Sequence, residues 1–198
     1  MGRVSAGAPH SPCSVFRKTF LASMWISGLA LAVLLFWAVG AYNRLMRLRS
    51  AAVRAFGKME AHLVRELALV AEFEAARRGA RDASAQAAHD HATLVAAAEQ
   101  LAASLAVSRQ RPLDPEAAAA LAEGARIVDT AWATFARATK DGDETLSPFL
   151  QQREQLTAQR GRAQQQFNAA VVNYNEAVTQ FPASVLARIF GFRKAQVL

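Results

Sequence analysis

Few side chains in these 198 residues are suited to chemistry: four histidines and one cysteine. His89-Asp90-His91 is the best metal-ligating motif, and His62 can join it only through a tertiary contact. On a helix, residues two apart point about 200° away from each other, so His89 and His91 cannot share one ion. The reading is surface histidines, with His91 partly buried, and no metal. Cys13 stands before a long apolar run with no base positioned beside it, which argues against a cysteine nucleophile. A single cysteine also excludes an intramolecular disulfide. The chain has no phosphate-cradling P-loop, no dinucleotide-binding glycine fingerprint and no Gly-x-Ser-x-Gly elbow. The expectation is a protein without catalytic residues or cofactors, and not an enzyme. The rival is a subunit of an enzyme complex, with chemistry assembled around His62, His89 and His91.

A different set of residues is arranged with more order. Phe167, Tyr174 and Phe181 stand seven apart, the first two followed by Asn168 and Asn175, the third by Pro182. With Leu146, Phe149, Leu156, Ala163, Ala170 and Ala177 they form a heptad stripe, interrupted by Arg153 and Arg160. The aromatics are expected to pack in a core, the alternative being an aromatic binding cage. Asparagine is a poor helix former, so Asn43, Asn168, Asn173 and Asn175 need a compensating role. Hydrogen bonds between helices that fix their register would supply one. A polar patch recognised by a partner is the alternative.

The elements that hold these residues are helical. Alanine and leucine dominate, and glycine and proline are sparse after residue 40. One stretch runs from about Asn43 to Arg78, with Leu45, Leu48, Ala52, Phe56, Met59, Leu63, Leu67, Val70 and Phe73 at gaps of three and four. Gly79 marks its end. A second covers about residues 80–108, with Ala87, His91, Leu94, Ala98, Leu101 and Leu105 on one face. "RQRPLDPE" is a loop, and Asp114 and Pro115 are suited to cap a third helix that runs to about Thr139. Leu121, Val128, Trp132 and Phe135 face inward there. "KDGDET" turns the chain into a fourth helix, from about Leu146 to Phe181, which Pro182 ends. The fold class expected is all-α, a long antiparallel four-helix bundle over residues 43–182.

Charge and hydropathy locate this bundle. Of the 23 lysines and arginines, eight fall in residues 1–58, which contain no acidic residue; the remaining 15 face 16 acidic groups, net −1. The excess of +7 thus lies outside the folded part, which excludes a basic nucleic-acid-binding face. Between the cations lies an uncharged run, Thr19 to Tyr42, with Trp25, Trp37 and Tyr42 toward its ends. At ~1.5 Å per residue it is long enough to cross a ~30 Å hydrocarbon core. A cleaved signal peptide with Val39-Gly40-Ala41 as its processing site is the rival. The length of the run, and helix continuing past it, favour an uncleaved transmembrane helix over 19–42. Three basic residues precede the run and five follow it. The positive-inside rule then puts the N-terminus outside and the bulk of the chain in the cytoplasm. Residues 1–18 are expected to be disordered. Arg44, Arg47, Arg49 and Arg54 would meet anionic headgroups of the inner membrane. So would Arg188, Arg193 and Lys194 in an amphipathic tail over 183–198, docked on the bilayer or folded back on the bundle base.

Three stretches resemble the LemA family of bacterial membrane proteins. They are "YNRLMRLRSAAVRAF" (42–56), "HDHATLVAAA" (89–98), with Asp90 where the family usually has Glu, and "FNAAVVNYNEAVTQFPASVLARIFGF" (167–192). Tyr42, Asn43, Asn168, Asn175, Pro182, Gly191 and Phe192 carry the resemblance. The segment 59–73 departs from the family pattern, lacking its proline and basic pair, and the aromatic-rich C-terminal end is shortened. The resemblance implies a helical bundle on an N-terminal membrane helix and no particular activity. The expected function is a membrane-anchored helical interaction or scaffolding protein with an unidentified protein partner. The alternative is a self-assembling membrane organiser, which the spacings Ser23/Ser27 and Gly28/Ala32 would permit.

Overall fold

The computed structural model describes residues 13–77, 85–138, 146–181 and 183–198. Pro182, Gly79 and the "KDGDET" turn lie outside the described residues. All regular structure among the described residues is α-helix: α1 (Cys13–Arg77), α2 (Ala85–Gln110), α3 (Pro115–Ala138), α4 (Leu146–Thr179) and the short α5 (Ala183–Ile189). The chain divides into two units, residues 1–43 and 44–198.

In the first unit, α1 leaves its apolar side chains uncovered among the described residues. Trp25, Ile26, Leu29, Leu31, Val33, Leu34, Leu35, Phe36, Trp37 and Val39 are all exposed, Phe36 at 85%. An 18-residue window with a mean hydropathy of 1.9 has none of its residues buried, which makes this helix a candidate membrane span by length and composition.

The second unit is an all-α helical bundle. From residue 44 onward α1 contributes Leu45, Ala52, Phe56, Met59, Leu63, Val70 and Phe73 to a single core. Their gaps of three, four and seven keep them on one face. Leu94, Ala98, Leu101 and Leu105 come from α2, and Leu121, Val128, Trp132 and Phe135 from α3. The α4 stripe adds Leu146, Ala163, Phe167, Val171, Tyr174 and Ala177. Phe73 sits at the centre of an aromatic knot. Its ring centroid lies 5.2 Å from Trp132, 5.2 Å from Phe135 and 5.3 Å from Phe149, joining α1, α3 and α4. Phe56 meets Phe167 edge-on at 5.9 Å.

The α2–α3 connection shows how local chemistry sets the packing. The Asp114 carboxylate accepts from the N–H groups of Glu116 and Ala117, at 3.0 and 3.1 Å, and caps α3 with Pro115 at its first position. The Ser108 hydroxyl donates to the carbonyls of Ser104 and Ala117, tying the end of α2 to the start of α3. Further along, a Cβ placed on Gly124 would lie 3.3 Å from the Leu101 Cα, tighter than an ordinary contact, so glycine at this position eases the close approach of α3 to α2.

Two expectations need correction. Helix α4 stops at Thr179, so the heptad no longer places Phe181; it is 80% exposed and does not pack in the core. On α1 the inward position is Glu66, buried at 5% exposure, while its neighbour Leu67 is only half-buried. A carboxylate in an apolar stripe is legible only together with the cation that meets it.

Candidate functional site

That cation comes from the heptad row of α4. Positions 146, 153, 160, 167 and 174 follow one another on one face, and two of them are arginines. Arg160, almost fully buried, donates from Nη1 to Glu66 Oε2 at 3.0 Å and from Nη2 to Asp129 Oδ2 at 2.6 Å. Arg153 donates to Asp129 Oδ1 at 3.1 Å, and its guanidinium lies 5.8 Å from the Trp132 ring centroid. The charge network thereby joins the same three helices, α1, α3 and α4, as the apolar core does. Burial pushes the Glu66 carboxyl up to about 7 from its ordinary 4.5; Arg160 opposes this, Asp129 adds to it, and Arg153 opposes it. Glu66 Oε1 receives no hydrogen bond. An open cavity of ≈ 190 Å³ beside this network is lined by Arg160, Asp129, Arg126, Met59, Leu121 and Leu198, among others. The network holds α1, α3 and α4 together.

His62, His89 and His91 do not form a metal-binding group with other side chains among the described residues. Asp90 is buried and His89 exposed. His91 is half-buried, its ring 5.8 Å from that of Phe73. Burial and then Arg77 lower its pKa, against Glu74. Among the described residues no group of three metal-capable side chains comes together.

The asparagines do something the heptad does not suggest. After α5 the chain reverses at Gly191, whose φ of +72° a residue with a Cβ rarely adopts, and the Phe192 N–H returns to the Ala187 carbonyl at 2.8 Å. Residues 193–198 then run extended along α4. The Asn175 side chain donates to the Ala195 carbonyl at 2.8 Å and accepts from the Ala195 N–H at 2.9 Å. Asn168 repeats this pair with Leu198, at 2.7 and 2.8 Å. The Tyr174 hydroxyl donates to the Arg193 carbonyl at 2.9 Å. Burial raises its pKa, with Arg49 opposing.

The spacing is geometrically matched. Seven helical residues span ~10.5 Å, and three extended residues span ~10 Å. Ala195 is buried, and Phe192 and Leu198 lean on the core, so every third residue of this strap points inward. An asparagine amide carries a donating NH2 and an accepting carbonyl side by side, as a backbone peptide does, and so replaces a missing backbone partner. Asn168 and Asn175 therefore do not fix register between helices; they clamp a strap. Asn43 and Asn173 are exposed.

The clamp coincides with what sequence comparison finds. Residues 139–198 match the LemA family model. The chain carries a LemA region. Asn168, Asn175, Gly191 and Phe192, which carried the resemblance, are in that region the clamp, the reversal and an apolar anchor of the strap. The other two stretches, 42–56 and 89–98, lie outside the matched residues. No curated protein and no solved structure matches the chain.

The basic residues Arg44, Arg47, Arg49 and Arg54 are exposed at the start of the second unit, and Arg188, Arg193 and Lys194 are exposed in and after α5. Sequence reasoning missed Glu66 and Asp129. The signal was present: Arg153 and Arg160 at heptad positions demand acidic partners on the facing helices.

Proposed function

We propose that this protein is a membrane-anchored helical interaction module, held by one span in α1, with the N-terminus outside and the bundle in the cytoplasm. The observation that carries the reading is the run of exposed large apolar side chains from Trp25 to Val39. Ten such side chains along one helix are costly in water and favourable in hydrocarbon. The exposed arginines at 44, 47, 49 and 54 suit a cytoplasmic leaflet bearing anionic headgroups, which supports this direction of the span. The bundle supplies long polar helical faces for a protein partner. Buried Glu66 and Arg160 serve the charge network, buried Ser108 ties α2 to α3, and Asn168 and Asn175 clamp the strap, which supports a structural rather than a catalytic role.

Membrane fractions of expressing cells, extracted with alkaline carbonate, test the anchor. The full chain should stay in the pellet, and a chain with Leu29, Val33 and Phe36 replaced by Glu should leave it. Release of the unaltered chain with the peripheral proteins would reject the reading.

A further inference from the structure

The short helix α5 faces the wrong way for water. Ala187 is buried at 2% exposure, and Ala183, about 40° from it around the helix, is half-buried. Val185 and Ile189 project from the opposite side, 52% and 70% exposed. Phe181 and Phe190, at either end, are exposed too. The helix thus turns Ala187 and Ala183 toward the bundle, keeps Leu186 half-buried and presents Val185 and Ile189, the reverse of a soluble amphipathic helix. It is held in this orientation. The Ser184 N–H donates to Gln180 at its start, and the Gly191 reversal and the strap clamp secure its end. Around the apolar face stand Arg188, Arg193 and Lys194, all exposed, and residues 177–198 contain no acidic side chain.

We propose that the α5 face is a second membrane contact, in which Val185, Ile189 and the flanking phenylalanines enter the headgroup–acyl boundary of an anionic bilayer while the three cations meet its phosphates. The inference rests on the membrane reading above. A lipid surface suits this face better than a protein does. Its apolar groups sit on a convex single-helix ridge, its charge is of one sign, and membrane-surface helices combine these two features. The bundle-facing contacts of α5 and the strap stay as they are, so docking requires no unfolding.

The test uses the full chain in lipid nanodiscs, with Cys13→Ser and Ile189→Cys carrying an environment-sensitive fluorophore. Nitroxide-labelled lipids quench whatever reaches the acyl boundary. The label should be blue-shifted and quenched in discs rich in phosphatidylglycerol, severalfold more than in purely zwitterionic discs. The added pair Arg188→Glu and Lys194→Glu should return it to the zwitterionic level. Tryptophan quenching in the same sample reports the span separately, because Trp25 and Trp37 are exposed on it while Trp132 is buried in the bundle. Quenched tryptophans with a label that remains water-like in every lipid would overturn the α5 contact alone. Unquenched tryptophans would overturn the membrane reading beneath it. A label that becomes protected only as protein concentration rises, without nitroxide quenching, would assign the face to a protein surface and likewise overturn the proposal.

Discussion

Glu66 is the residue at which burial and charge compete most directly. Its carboxyl is raised to about 7 in the folded chain, against 4.5 ordinarily. Between those values the folded state keeps a proton that the unfolded state releases. The resulting stabilisation is full below pH 4.5 and is lost as pH rises through 7, on the order of 3 kcal/mol across the window. His91, whose pKa is lowered, works the other way, losing stability as pH falls through its ordinary range. The informative quantity is therefore the difference between the parent chain and Glu66→Gln, which still accepts from Arg160. Denaturant titrations should show that difference moving in favour of the variant from pH 4.5 to 7.5; a flat difference would refute the raised carboxyl. Removing the cation tests the same network from α4. Arg160→Met should cost about 3 kcal/mol at pH 8, where Glu66 is left as a buried anion, and clearly less at pH 5, where Glu66 can protonate. At the strap, Asn175→Ala removes two hydrogen bonds to Ala195, and about 1–2 kcal/mol of stability should go with them. The larger effect should be local: amide exchange at 195–198 should speed up while that of the α1–α3 core is unchanged.

The elements themselves were largely legible in the sequence. Apolar gaps of three, four and seven located α1 to α4 because a helix has one period and a core needs one face. Asp114 and Pro115 marked the start of α3 for an equally local reason. What could not be read was long-range. Arg153 and Arg160 appeared only as interruptions, since Glu66 and Asp129 are 94 and 24 residues away from their nearest cations. The asparagines suggested helix-to-helix bonds, and the strap they hold has no periodic signature of its own. Phe181 continued the heptad on paper, but the helix had already ended. The α2–α3 crossing offers a prediction at this scale. Gly124→Leu must displace Leu101 or separate the two helices, and should destabilise by about 2 kcal/mol or more, read as a lower melting temperature by circular dichroism. Gly161, with open space around it, should accept the same change with little effect.

At the scale of the whole molecule, the two units have opposite relations to solvent. The second buries its apolar residues in a core drawn from Leu45 to Leu198, and ties its helix ends and its strap with named polar contacts. The first exposes its large apolar side chains from Trp25 to Val39. That contrast, with cations clustered after the span, is why the chain is read as an anchored bundle whose N-terminus lies outside. The lone cysteine makes the reading directly measurable, because Cys13 lies on the N-terminal side of the apolar segment. Cells expressing the chain, freed of any outer membrane, would be treated with a membrane-impermeant maleimide, and permeabilised cells would serve as the control for reactivity. Labelling of the intact sample to the level of the control is the predicted result and places the bundle in the cytoplasm. Labelling only after permeabilisation would contradict it, placing Cys13 inside and the bundle on the other face of the membrane.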